Sequence, residues 1–196
     1  MEEILLEWNP WWHKDVKFNF VERELFEEVS PWINRKQITA IIGPRRSGKT
    51  TFLYMLISKL INKGVKPSNI FFIKCDDDRI EKNDLIQRAL DTYLQLQDPK
   101  GKVYLFLDEI QEVDDWYKTL KRLYDLNSNY KIFISGSSMH LQRDSISKYL
   151  AGRFSYFVLW PFSFREFLMA KKEKLNKTSL LANKHKIQSY LLEYLI

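Results

Sequence analysis

The chain has 196 residues, 45% hydrophobic and 15% aromatic, with a formal net charge of +6, enough material for one ordinary domain or one plus part of another. No apolar run approaches the roughly 20 residues that span a bilayer, and the acidic start Met1-Glu2-Glu3 is unlike the basic opening of a signal peptide. One cysteine, Cys75, and three scattered histidines, His13, His140 and His185, exclude an internal disulfide and a thiolate or imidazole metal cluster, so a cytoplasmic chain with no membrane partner is expected.

In chain order, residues 1–19 carry Trp8, Trp11 and Trp12 around Pro10 and read as a leader that packs on the domain. Phe20 to Val29 has helical periodicity and stops before Pro31. Gln37 to Ile42 reads as a short buried strand, and Thr51 to Lys63 as a helix apolar nearly all round. Between them stand Gly43, Pro44, Arg45, Arg46, Ser47, Gly48, Lys49 and Thr50. Two glycines bracketing four residues, followed at once by Lys and a hydroxyl residue, is the P-loop spacing, here in its proper strand–loop–helix setting. The glycines let successive N–H groups turn toward a phosphate, and the helix N-terminus adds partial positive charge. Lys49 is expected to reach the β- and γ-phosphates, and the Thr50 hydroxyl to ligate Mg²⁺. Phosphate cradling by backbone amides does not require Arg45 or Arg46, which are left to contact a partner or an acid.

Gly64 and Pro67 close the helix, and Asn69 to Lys74 is a second strand. Asp76-Asp77-Asp78 follows, as a solvated turn or as an aid to the metal. Asp84 is a candidate cap for a helix striped with Leu85, Ile86, Ala89, Leu90, Tyr93 and Leu94. Val103 to Leu107 is apolar throughout, as a strand buried on both faces should be, and ends in Asp108-Glu109. That is the Walker B pattern: Asp108 holds the metal, and Glu109 is placed to orient a water. A helix with Trp116, Leu120, Leu123 and Tyr124 on one face precedes a fourth strand, Tyr130 to Ile134, closed by Ser135-Gly136-Ser137-Ser138. A linker of helical character leads to a fifth strand, Ser155 to Leu159. Ser163 and Glu166 stand at capping-box spacing on the next helix. The positive excess gathers in Lys171, Lys172, Lys174, Lys177, Lys184 and Lys186, more simply a solvated helical face than a nucleic-acid surface.

Taken together, residues 43–51, 107–111, 135–138, 150–153 and 161–167, in that order, resemble a prokaryotic AAA-type (AAA+) ATPase family over residues 20–170; Trp116 and Leu123-Tyr124-Asp125 add to the likeness. The resemblance implies an α/β, three-layer P-loop NTPase fold with a parallel five-stranded sheet of order 5-1-4-3-2 and helices on both faces. It implies ATP or ADP and Mg²⁺ as ligands, with residues 43–51, Thr51 included, around the nucleotide and Thr50 and Asp108 on the metal. It sets residues 20–29 near the adenine base, the alternative being an ordinary amphipathic helix over the sheet edge. Ser135 and Ser137 become candidates for the sensor that contacts the γ-phosphate or the lytic water, the alternative being a plain Ser/Gly turn. Arg153 becomes either a finger reaching a neighbouring subunit or an internal partner of a carboxylate.

The family continues into a C-terminal winged-helix or nuclease-like domain. The expected division is therefore a leader (1–19), an ATPase core (20–162) and the start of a helical lid (163–196), truncated inside an apolar-striped helix that seeks a homo-oligomer or another protein. The leading expectation is Mg²⁺-dependent ATP hydrolysis. The alternatives are a nucleotide-gated switch or DNA-associated module with little turnover, and a small-molecule kinase.

Overall fold

The computed structural model describes residues 1–126, 128–137 and 149–195; Ser138, most of the linker after it and Ile196 lie outside the described residues. Five apolar runs pair into one parallel sheet: β1 (Ile38–Ile42), β2 (Ile70–Lys74), β3 (Val103–Asp108), β4 (Tyr130–Gly136) and β5 (Phe154–Val158). The spatial order is β2-β3-β4-β1-β5, the expected 5-1-4-3-2 read from the other edge. Every residue of β1 and β3 is buried, which explains runs without alternation: helices around a parallel sheet leave its inner strands no wet face. β4 continues two residues beyond its apolar run, because Ser135 and Gly136 stay in register with Ile41 and Ile42 of β1. Backbone pairing, not hydropathy, ends this strand.

The helices are α1 (Glu2–Trp8), α2 (Leu25–Val29), α3 (Lys49–Asn62), α4 (Leu85–Gln97), α5 (Trp116–Leu126), α6 (Phe164–Ala170), α7 (Lys177–Ala182) and α8 (Lys184–Tyr194). After α3, Gly64 takes φ 86° while the Val65 N–H donates to Leu60 O at 3.1 Å, the glycine stop that the sequence signals. The capping box at α6 forms: the Glu166 N–H donates to Ser163 Oγ at 3.2 Å, and the Ser163 N–H to Glu166 Oε2 at 2.9 Å. Two expectations need correction. Asp84 holds the N-cap position of α4 at φ 48° without a side-chain cap bond, since capping geometry needs an extended residue. Residues 20–23 are not helical. Phe20 stacks on Phe18 at 5.3 Å and Arg23 turns inward to Glu166, contacts that override the local periodicity.

The leader closes the β2 edge. An edge strand presents unpaired N–H and C=O groups, and here side chains answer them. Asn9 Nδ2 donates to Phe72 O at 2.8 Å, while the Phe72 N–H donates to Asn9 Oδ1 at 2.7 Å. The Trp12 and Trp11 indoles donate to Ile70 O at 2.8 and 3.3 Å. Asn9 is fully buried, beside Leu5, Trp8 and Trp11 in the core. Asn9→Ala strands one donor and one acceptor, so urea unfolding should show a loss of roughly 2–4 kcal/mol; a change below about 0.5 kcal/mol would mean that the amide closes nothing.

Lys131 of β4 is also fully buried, donating to Thr39 Oγ1 at 2.7 Å and to Gln37 O at 2.5 Å. Burial, with Lys102 nearby, pushes its ammonium down from 10.5 to about 7. The unfolded chain therefore binds more protons between these values, and stability rises with pH there by up to about 1.4 kcal/mol per pH unit. Lys131→Met should remove that slope; parallel stability–pH curves for the two proteins between pH 7 and 10 would contradict it.

Among the described residues, no helix is long and apolar enough to cross a membrane.

Candidate functional site

Three strands end side by side where the glycine loop begins: β1 runs into Gly43, β3 ends on Asp108, and β4 carries Ser135 near its end. The loop is tightly built. A Cβ on Gly43 would stand 2.2 Å from Leu159 O, so the chain leaving β5 passes too close for any side chain. Arg46 (φ 64°) and Gly48 (φ 91°) adopt left-handed backbone, the alternation that turns successive N–H groups into one concavity. Gly48 is the N-cap of α3, so the positive end of that helix faces the same space.

Lys49 is buried, and its Nζ lies 3.3 Å from Pro44 O, 3.4 Å from Gly43 O and 3.4 Å from Glu109 Oε1. Thr50 Oγ1 donates to Asp108 Oδ2 at 2.7 Å, joining the loop to the tip of β3. Ser135 Oγ donates to Asp108 Oδ1 and accepts from the Glu109 N–H at 3.0 Å. One buried hydroxyl thus fixes both acids. Burial pushes the Asp108 carboxyl up, against the hydrogen bonds from Ser135 and Thr50. Glu109 sits at φ 49° and ψ 50°, a sparsely populated conformation for a side-chain-bearing residue, and its Oε2 accepts from Gln111 Nε2 at 2.7 Å.

Cavities of contrasting character flank the loop. An apolar one of about 210 Å³ lies between Phe20, Val21, Phe52, Met55, Pro161 and Phe162, with Arg23, Arg46, Ser47, Gly48 and Thr51 completing its wall. A polar one of about 460 Å³ is lined by Arg45, Lys49, Asp76, Glu109, Gln111, Glu112 and Ser137. Lys49 and Glu109 thus face polar space, while Thr51, Phe52 and Met55 of α3 face apolar space.

The residues fit a phosphate-bearing ligand with a hard cation. Ser47 Oγ is buried within the loop without a hydrogen-bond partner. Asp108 is a buried carboxyl whose near partners are hydroxyls, a setting that a cation relieves. No group of three His, Cys, Asp or Glu suited to a metal occurs among the described residues. Thr50 Oγ1 and the Asp108 carboxylate offer adjacent oxygens, a donor set that suits Mg²⁺, which takes one or two protein oxygens and completes its shell with phosphates and waters.

The fold brings Gly43 to Thr51, Asp108, Glu109, Ser135 and Ser137 together. It sets Arg153 apart: Arg153 O accepts from the Ile38 N–H at the start of β1, roughly 16 Å of strand from the loop. Its guanidinium grips Asp125 at 2.8 and 3.3 Å. Two residues escaped the sequence reading. Gln111 lies inside the motif 107–111, but nothing in its spelling assigns it to Glu109. Arg23 reads as part of a helix, and its partner Glu166 is 143 residues away.

A family model described as an AAA domain matches residues 35–168. Over 185 residues, 91% of its length, the chain is 36% identical to an uncharacterized protein of Methanocaldococcus jannaschii, of which it spans 38%. It is 31% identical over 141 residues, 68% of its length, to an uncharacterized protein of Haemophilus influenzae, of which it spans 34%. The chain therefore covers little more than a third of either relative. With the loop, the acid-tipped third strand and the sheet order in place, the chain belongs to the AAA domain family of P-loop ATPase-like proteins.

Proposed function

We propose that the chain binds ATP with Mg²⁺ and hydrolyses it to ADP and phosphate. The carrying observation is the 2.7 Å hydrogen bond from Thr50 to Asp108, which sets a hydroxyl and a carboxylate together beside the glycine loop. In this reading the 43–50 backbone, through the N–H groups other than that of Pro44, which has none, and Lys49 hold the phosphates, and Lys49 exchanges its long contacts to Gly43 O and Pro44 O for phosphate oxygens. The apolar cavity between Phe52 and Phe162 takes the adenine ring. Thr50 and Asp108 hold Mg²⁺, which when bound neutralises charge on the phosphate oxygens.

Glu109 orients a water in the polar cavity and accepts its proton as the water oxygen bonds to the γ-phosphorus. The bond to the β-phosphate oxygen breaks and its electron pair leaves with ADP. Gln111 and the Ser135–Glu109 amide contact fix that carboxylate, and Ser137 faces the same cavity. A cytoplasmic location, where ATP is supplied, fits this chemistry.

A second reading, a nucleotide-gated switch with slow intrinsic turnover, is favoured by the distance of Arg153 from its own loop. Arg153, 31% exposed beside Asp125, then serves a neighbouring copy. Phosphate release measured against protein concentration separates the two. Constant specific activity is expected of a self-sufficient site. Activity that climbs from background as copies associate, by about 10³- to 10⁵-fold, belongs to the switch. No release at any concentration, with Mg²⁺ and without an added acceptor, removes hydrolysis.

A further inference from the structure

Arg23 joins three distant parts of the chain. Its Nη1 donates to Ser47 O inside the glycine loop at 3.0 Å, its Nη2 to Trp160 O at 2.6 Å, and its Nε to Glu166 Oε1 at 2.9 Å. The guanidinium also lies 4.7 Å over the Phe162 ring. The side chains of Arg23 and Glu166 are only 7% and 5% exposed, so their hydrogen bonds act in a low-dielectric setting. The Glu166 carboxylate is well occupied: it accepts the Glu24 N–H at 2.8 Å and the Ser163 N–H at 2.9 Å besides Arg23. Burial works to raise its pKa, but the Arg23 guanidinium and the two amides outweigh it and hold the carboxyl below its usual 4.5.

Glu166 lies in the first turn of α6, and α6 carries the helices beyond it. Phe164 and Phe167 pack on Tyr194 of α8 at 5.4 and 5.6 Å, and Lys171 pairs with Glu193 at 2.6 Å. The Tyr194 hydroxyl donates to Phe162 O at 2.8 Å. Phe162 is therefore shared, lining the apolar cavity and anchoring α8 through its carbonyl. α7 and α8 bury no residue among those described. Elements with so little buried surface sit at the low end of local stability and respond to small changes in what holds them.

We propose that the Arg23–Glu166 pair couples occupancy of the cavity beside the glycine loop to the order of α6–α8, making these helices the element that reports bound nucleotide. The coupling rests on the nucleotide reading above. A base between Phe52 and Phe162 touches the wall that Arg23 and Phe162 form, and stiffening that wall stiffens Glu166 and its helix. Linkage makes the effect reciprocal: bound nucleotide favours the ordered helices by the same factor by which their ordering raises nucleotide affinity.

Hydrogen exchange on the full chain, with and without ADP and Mg²⁺, reads the coupling, and calorimetry on the same samples shows whether ADP binds. In wild type, saturation with ADP is expected to slow exchange across residues 164–194 by about fivefold to a hundredfold. Glu166→Gln keeps a side chain able to complete the capping box but removes the ion pair. Its ADP-dependent slowing in 164–194 should fall below about twofold, while slowing in 43–51 persists. Arg23→Lys keeps the charge and loses the planar fork, and should behave alike, which guards against a variant that fails to fold. Equal slowing in wild type and the folded variants overturns the coupling, as does a wild type that binds ADP with no change in 164–194. Absence of any ADP heat in wild type overturns the nucleotide reading, and the coupling with it.

Discussion

Glu109→Gln is expected to bind ATP within about threefold of wild type and to release phosphate about 10²- to 10⁴-fold more slowly, the usual contribution of a positioned base. The substitution is nearly isosteric, so the Gln111 and Lys49 neighbours at 2.7 and 3.4 Å keep a partner of similar shape. The backbone turn at φ 49° is held by the Ser135 hydroxyl and does not depend on the side-chain charge. Loss is therefore confined to the proton-accepting oxygen. Single-turnover phosphate release beside equilibrium nucleotide binding checks this. Turnover within about twofold of wild type would remove Glu109 from the chemistry.

Lys49→Ala is expected to act on binding instead. The ammonium is buried where two carbonyls and a carboxylate converge, and charge-assisted contacts of this kind contribute roughly 1.5–3 kcal/mol each. Affinity for ATP should fall by about tenfold to a hundredfold. The fold should survive, because the Lys49 contacts to two loop carbonyls and to Glu109 are long, at 3.3–3.4 Å; circular dichroism separates the two effects. Undiminished ATP affinity in a folded Lys49→Ala would place the phosphates elsewhere.

How far the sequence foretells this arrangement depends on where each residue's partner lies. The glycine loop, the acid-tipped β3, the Gly64 helix stop and the Ser163–Glu166 box are each written within a few consecutive residues, because the chemistry is local backbone geometry. The sheet order came through resemblance to a family, not through strand periodicity. Ser135 was visible as a hydroxyl near a strand end, but its double grip on Asp108 and Glu109 arises only when β3 and β4 lie side by side.

Long-range polar contacts were not legible. Arg23 and Glu166 each have ordinary local explanations, a helix face and a cap, that conceal a shared buried pair. Asn9 lies in the stretch read only as a packing leader, yet its amide copies the backbone of a neighbouring strand against Phe72. Lys131 stands in an otherwise apolar run, and its burial against two acceptors comes only with β1 alongside. In each case tertiary context outweighs propensity.

Calorimetric titration of the wild-type chain with ATP, in paired experiments with Mg²⁺ and with excess chelator, tests most directly whether loop and acid form one site. Saturable one-to-one binding is expected with Mg²⁺, weakened by chelation and weakened far less so in Asp108→Asn, where the metal has already lost its carboxylate. Absence of heat with ATP, or an Asp108→Asn chain that loses as much affinity to chelator as wild type, would contradict it.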